Sequence, residues 1–185
     1  MYKLIPMLVV AFILVSCNEA KPSFQPETKV AELHNTFAAQ VFNTLDHMAE
    51  KTGMAVNHPN AKSLITGIGC VESDLMYRKQ FGDGPARGLL QFEEDSAYAE
   101  AAYYCNSKPK LKAYVERYFG KNHSFKLIEN NDRYSIVMAR IYFMRLRDEI
   151  PESVYGQACY WKQYWNTSAG KGTVDKYINK WDSHN

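Results

Sequence analysis

From Val30 onward the apolar residues Leu33, Phe37, Val41, Leu45 and Met48 recur every three or four positions, and this predicts an amphipathic helix that Gly53 can cap. The same spacing predicts a second helix over residues 61 to 71, where Leu64, Ile68 and Val71 form one stripe. Residues 98 to 105 follow. Then comes a segment from 109 to 119 that opens on Pro109, a residue suited to a first helical turn because its missing N–H has no intrahelical partner there. A strong pattern starts at Asp132, runs through Ile136, Ala139, Phe143 and Leu146, and ends before Pro151. A final pair covers 155 to 165 and 174 to 181, with Gly170-Lys171-Gly172 as the turn between them. The chain shows no internal repeat, and its length is enough for a single core. The expected fold is mainly α, one domain over residues 28 to 185, with at most a small β-hairpin near residues 80 to 92.

The amino-terminal residues follow a different pattern. Lys3 is the only charge in the first sixteen, and an apolar run from Leu4 to Val15 follows it. That run is shorter than the roughly 20 residues a membrane span requires and suits a secretory signal. Its end, Leu14-Val15-Ser16-Cys17, resembles a bacterial lipobox, which implies cleavage after residue 16 and lipidation of Cys17. The alternative is an uncleaved anchor helix; both readings place the domain outside the cytoplasm. By analogy, Asn18 in place of an aspartate favours the outer membrane of a Gram-negative cell, with the domain facing the periplasm. Residues 17 to 27, with Pro22, Ser23, Gln25 and Pro26, read as a tether.

Charge narrows the partners. Without residues 1 to 16 the 22 basic and 20 acidic residues become 21 and 20, a net charge of +1, which gives no footprint for nucleic acid. Thirteen Tyr, nine Phe and three Trp fit a packed core and can also stack on sugar rings. The five histidines are scattered without ligand spacing, and Cys70, Cys105 and Cys159 do not form a zinc pattern, so neither a metal nor a cofactor is expected. In an oxidising compartment one pair of these cysteines could form a disulfide, and spacing does not choose among the three pairings.

The candidate chemistry lies in Gly69-Cys70-Val71-Glu72-Ser73 and, after a glycine-rich turn, Gly84-Pro85-Ala86-Arg87-Gly88-Leu89-Leu90-Gln91-Phe92. Glu72 ends the apolar stripe of the second helix, where a carboxylate sits half against the core. Partial burial disfavours its charged form and raises its pKa, as a general acid at neutral pH requires. Most carboxylates at helix ends do no chemistry, and the neighbouring segment is what changes the reading. Its glycines permit close approach of backbone to a ligand, and Gln91 can donate to and accept from sugar hydroxyl and acetamido groups.

Glu72-Ser73 and Gly88-Leu89-Leu90-Gln91 resemble the catalytic Glu-Ser and the Gly-Leu-Met-Gln segments of soluble lytic transglycosylases, relatives of goose-type lysozyme. The intervening residues 78 to 80 and 84 to 88 look more like those of short lysozyme-like proteins carried by bacteriophages. The resemblance covers residues 64 to 93. It implies a lysozyme-like fold in which Glu72 protonates the glycosidic oxygen of a peptidoglycan strand at the β-1,4 bond between N-acetylmuramic acid and N-acetylglucosamine. Ser73, Gly88, Leu90 and Gln91 are then expected to line the substrate. Residues 158 to 166 resemble the family's Ala-x-x-Tyr-Asn segment, whose tyrosine supports the glutamate; Tyr164 and Tyr160 are both candidates, because Trp165-Asn166-Thr167 departs from the usual Tyr-Asn-Ala-Gly. A hydrolase would need a second carboxylate. Glu93, Glu94 and Asp95 are available but read as the start of the next helix, so lyase chemistry is preferred. The alternative function is a non-catalytic lysozyme-fold lipoprotein that binds glycan or an envelope or phage protein.

Overall fold

The computed structural model describes residues 26–184, and the expected signal segment, lipidation at Cys17 and most of the tether lie outside them. The described residues are mainly α-helical, in the order α1 (Pro26–Thr52), α2 (Pro59–Ser73), α3 (Ala99–Ser107), α4 (Pro109–Phe119), α5 (Lys126–Asn130), α6 (Asp132–Met144), α7 (Val154–Trp161) and α8 (Val174–His184). Helix α1 begins two residues ahead of the expected domain boundary. Single π-helical turns, Glu94–Tyr98 and Lys162–Asn166, lead into α3 and out of α7. No helix among the described residues is long and apolar enough to cross a membrane.

The periodicities map onto burial. Phe37, Val41, Leu45 and Met48 form the inner stripe of α1, and Gly53 ends the helix with positive φ, its N–H donating to Ala49 O at 2.9 Å. Helix α6 is enclosed on every side rather than on one face: Tyr134 to Ala139 and Ile141 to Phe143 are all buried. It is packed against α1, α2, α3 and α5. Its start is fixed by the Asn131 side chain, which accepts from Tyr134 N at 3.0 Å. Arg78 fixes it further through a bidentate pair with Asp132 at 2.6 and 2.9 Å, a planar match worth more than two separate contacts.

Helix α2 carries the site and lies between α1 and α8. Two of its glycines permit this. A Cβ on Gly67 would lie 2.0 Å from the Tyr177 hydroxyl of α8, and one on Gly69 would lie 2.8 Å from the Phe37 ring of α1. The helix ends at Asp74, in the left-handed region at φ 50°, with its N–H turned back to Cys70 O at 3.2 Å. The expected hairpin is reduced to two isolated bridges, Lys79 with Arg87 and Arg87 with Phe92; no sheet forms among the described residues.

Candidate active site

Glu72 occupies the last turn of α2, and its carboxyl oxygen Oε1 accepts from Trp161 Nε1 at 2.9 Å. Burial pushes its pKa up to about 7. The Trp161 hydrogen bond and the positive charge of Lys176 oppose the rise, and the negative charge of Glu93 adds to it. The side chain is half-buried, so the carboxyl is desolvated without being sealed from a ligand. Beneath it Trp161 is fully buried and packs on Tyr177, ring centroids 5.5 Å apart. Gly172 leaves room for the same indole, since a Cβ there would approach its ring to 2.4 Å. An acid held half-protonated at neutral pH, with one oxygen fixed by an N–H donor, is arranged to give up a proton from the other.

The second segment is tied to the first through Ser73, whose Oγ lies 2.7 Å from Leu89 O and 3.1 Å from Gly69 O. This corrects the expected role of Ser73: it is buried, and its hydroxyl fastens the Gly88–Gln91 turn to α2 instead of meeting substrate. Gly88 and Leu90 are corrected likewise. Gly88 has φ +73° and is buried against α5, where a Cβ would come within 2.4 Å of Ile128 O. Leu90 is fully buried, and its carbonyl accepts from Trp165 Nε1 at 3.2 Å. Gln91 keeps an accessible position. It takes a left-handed backbone at φ 49°, costly for a residue with a Cβ, and its amide N donates to Gly88 O at 2.8 Å. Its amide oxygen remains an acceptor for a ligand hydroxyl or N–H.

The tyrosine expectation is also corrected. Tyr160 OH donates to Asp148 O at 3.1 Å, and Tyr164 OH donates to the Asp148 carboxylate. Their rings lie together, with centroids 4.7 Å apart, against the loop after α6. The cause is helical phase. Tyr160 is one residue, about 100°, from Trp161, so the two cannot face the same partner, and the widened π turn from Lys162 carries Tyr164 onward with Tyr160. Trp161, within the segment read for its tyrosines, is the residue that meets Glu72.

Glu94 and Asp95 do open the next helical segment, as expected, while Glu93 precedes it in extended conformation and is exposed. Cys70, Cys105 and Cys159 are all free thiols. No group of three or more His, Cys, Asp or Glu placed to hold a metal occurs among the described residues. No protein-family model, curated protein or solved structure matches the chain.

Proposed function

We propose that this protein is a lipid-anchored lytic transglycosylase of the bacterial envelope, with a lysozyme-like domain that cleaves the β-1,4 N-acetylmuramic acid to N-acetylglucosamine bond of peptidoglycan. The observation that carries the reading is Glu72: a carboxyl at the end of α2, raised to about 7 by burial and held by the Trp161 indole N–H. It is protonated often enough at neutral pH to act as the acid, and its ionised form is then basic enough to take a proton from the muramic C6 hydroxyl. Closing the 1,6-anhydro ring this way needs no water and no second carboxylate. Gln91, on the turn that Ser73 ties to α2, offers its amide oxygen to the glycan.

The hydrolase reading has one specific observation in its favour. Glu93 acts on Glu72 through space and is exposed, so it is the acid available to activate water. Mass spectrometry of sacculi incubated with the purified protein separates the two, since 1,6-anhydromuramic ends mark the lyase and reducing ends the hydrolase. Glu72→Gln is expected to lower release by about 10²–10⁴ while binding to sacculi persists. Sedimentation with sacculi without any release would replace the enzyme by a glycan-binding lipoprotein.

A further inference from the structure

Away from Glu72, the polar face of α1 borders two depressions, one of about 520 Å³ against Arg133 of α6 and one of about 310 Å³ against α4. Gln40, Asn43 and His47 of α1 line the first together with Arg133 of α6; Lys51 of α1 and Lys110, Arg117 and Tyr118 of α4 line the second. His47 and Tyr118 mark the junction, their ring centroids 4.7 Å apart. Both guanidinium groups lie over the Tyr118 ring, Arg133 at 5.5 Å and Arg117 at 5.7 Å from its centroid.

The hydrogen bonds define the protonation state. Arg133 Nη2 is 2.7 Å from His47 Nδ1, and the Tyr114 hydroxyl is 2.9 Å from the same nitrogen. Guanidinium donates only, so Nδ1 is the acceptor and the neutral ring carries its proton on Nε2. Burial first, then the charges of Arg133 and Lys51, hold the imidazole below its ordinary value. Lys51 pairs with its neighbour Glu50, and Glu116 pairs with Lys112. No ion pair joins Lys110, Arg117 or Arg133 to an acid among the described residues.

This concentration of positive charge is positional, not compositional. Lys51, Lys110, Arg117 and Arg133 line these two depressions, in a chain whose net charge is only +2. Like charges brought together repel, and an anion placed among them removes that repulsion. Two guanidinium forks match a phosphate better than they match a monovalent halide or a flat surface. The amides of Gln40 and Asn43 beside them suit hydroxyl groups.

We propose that the two depressions together, joined at His47 and Tyr118, bind a phosphate ester whose organic part carries hydroxyl groups, the phosphate between Arg117, Arg133 and Lys51 and the hydroxyls against Gln40 and Asn43. Glycerol phosphate is the smallest such group, and it occurs both free and as the headgroup of phosphatidylglycerol. The site is separate from Glu72, so it stands whether or not the protein cleaves glycan.

The full chain is titrated with sn-glycerol 3-phosphate, with glycerol and sulfate as controls, while the His47 imidazole resonances are followed by NMR. In a second arm it is sedimented with vesicles of phosphatidylglycerol or of phosphatidylcholine. The ester is expected to give a saturable shift at least about tenfold stronger than either control, and to raise the titration midpoint of His47. The double variant Arg117→Gln/Arg133→Gln is expected to weaken this by about tenfold or more, and the corresponding double lysine variant by less. A response to the soluble ester alone assigns a free ligand. A response to phosphatidylglycerol vesicles alone, again lost in the glutamine variant, assigns the headgroup. No saturable response in either arm up to about 10 mM, an equal response to sulfate, or indifference to the arginine substitutions overturns the proposal. Should the double variant fail to fold, the titration of the unmodified protein and the exposed Lys51→Gln variant carry the same test, the variant being expected to weaken the response and an unchanged response counting against the proposal.

Discussion

Glu72→Gln should stabilise the protein at alkaline pH and leave it almost unchanged at acid pH. The carboxyl rises from its usual 4.5 to about 7 on folding, with burial the largest cause. At 1.36 kcal/mol per pH unit this gap corresponds to about 3 kcal/mol. Because the folded value is the higher one, the folded state binds more protons than the unfolded state between the two values. Stability is therefore full below the unfolded value and falls as pH rises through about 7, where the buried group must ionise. Residual solvent access to the half-buried side chain trims the expected loss to about 2 kcal/mol. Glutamine removes the charge but keeps an oxygen for the Trp161 N–H, so the comparison isolates ionisation rather than the hydrogen bond. Urea unfolding near pH 5 and near pH 8.5 measures it. The stability difference between the two proteins should grow by about 2 kcal/mol, which for a slope of about 1.5 kcal/mol/M moves the midpoints apart by more than about 1 M. Parallel pH dependence in the two proteins would mean that Glu72 ionises as freely folded as unfolded, and the case for an acid at neutral pH would be lost.

Trp161→Phe removes the donor that favours the charged carboxyl, so the midpoint for Glu72, followed by carboxyl ¹³C NMR, should rise above about 7; an unchanged or lower midpoint contradicts the pairing. Gly67→Ala places a methyl 2.0 Å from the Tyr177 hydroxyl at the α2/α8 contact and is expected to cost about 1–3 kcal/mol in thermal or urea unfolding, whereas a neutral result would show that the two helices can part. Burial pushes the Cys70 thiol up to about 12 and the Cys105 thiol up to about 11. Thiol labelling of the folded protein should therefore reach Cys159 first, with Cys70 and Cys105 following only on unfolding; early labelling of Cys70 would count against the α2 packing.

Local periodicity was sufficient for α1 and α6, because each buries a repeating stripe and has a terminal signal, Gly53 after α1 and Asp132 at the start of α6, while α4 was marked by Pro109 at its start. It missed α5, whose five residues are too few to show a period and which is anchored by the single buried Ile128. It also underestimated α6, since a stripe of four apolar positions does not disclose that polar-capable Tyr134 and Tyr142 are buried as well. The desolvation of Glu72 was legible because the residue stands at the end of an apolar stripe. Its partner was not, because Trp161 lies 89 residues away and the adjacent tyrosines offered the more familiar chemistry.

That substitution has a chemical consequence. A tyrosine hydroxyl can donate to a carboxylate or accept from a carboxylic acid, so it leaves open which oxygen holds the proton. The indole N–H of Trp161 only donates. With Oε1 committed as its acceptor at 2.9 Å, the proton of neutral Glu72 is directed to Oε2, and any glycosidic oxygen to be protonated must approach that atom. The burial that raises the Glu72 pKa and the indole that orients its proton thus come from one arrangement, with α2 brought against α8 at Gly67 and the Trp161 ring seated on Tyr177 between them.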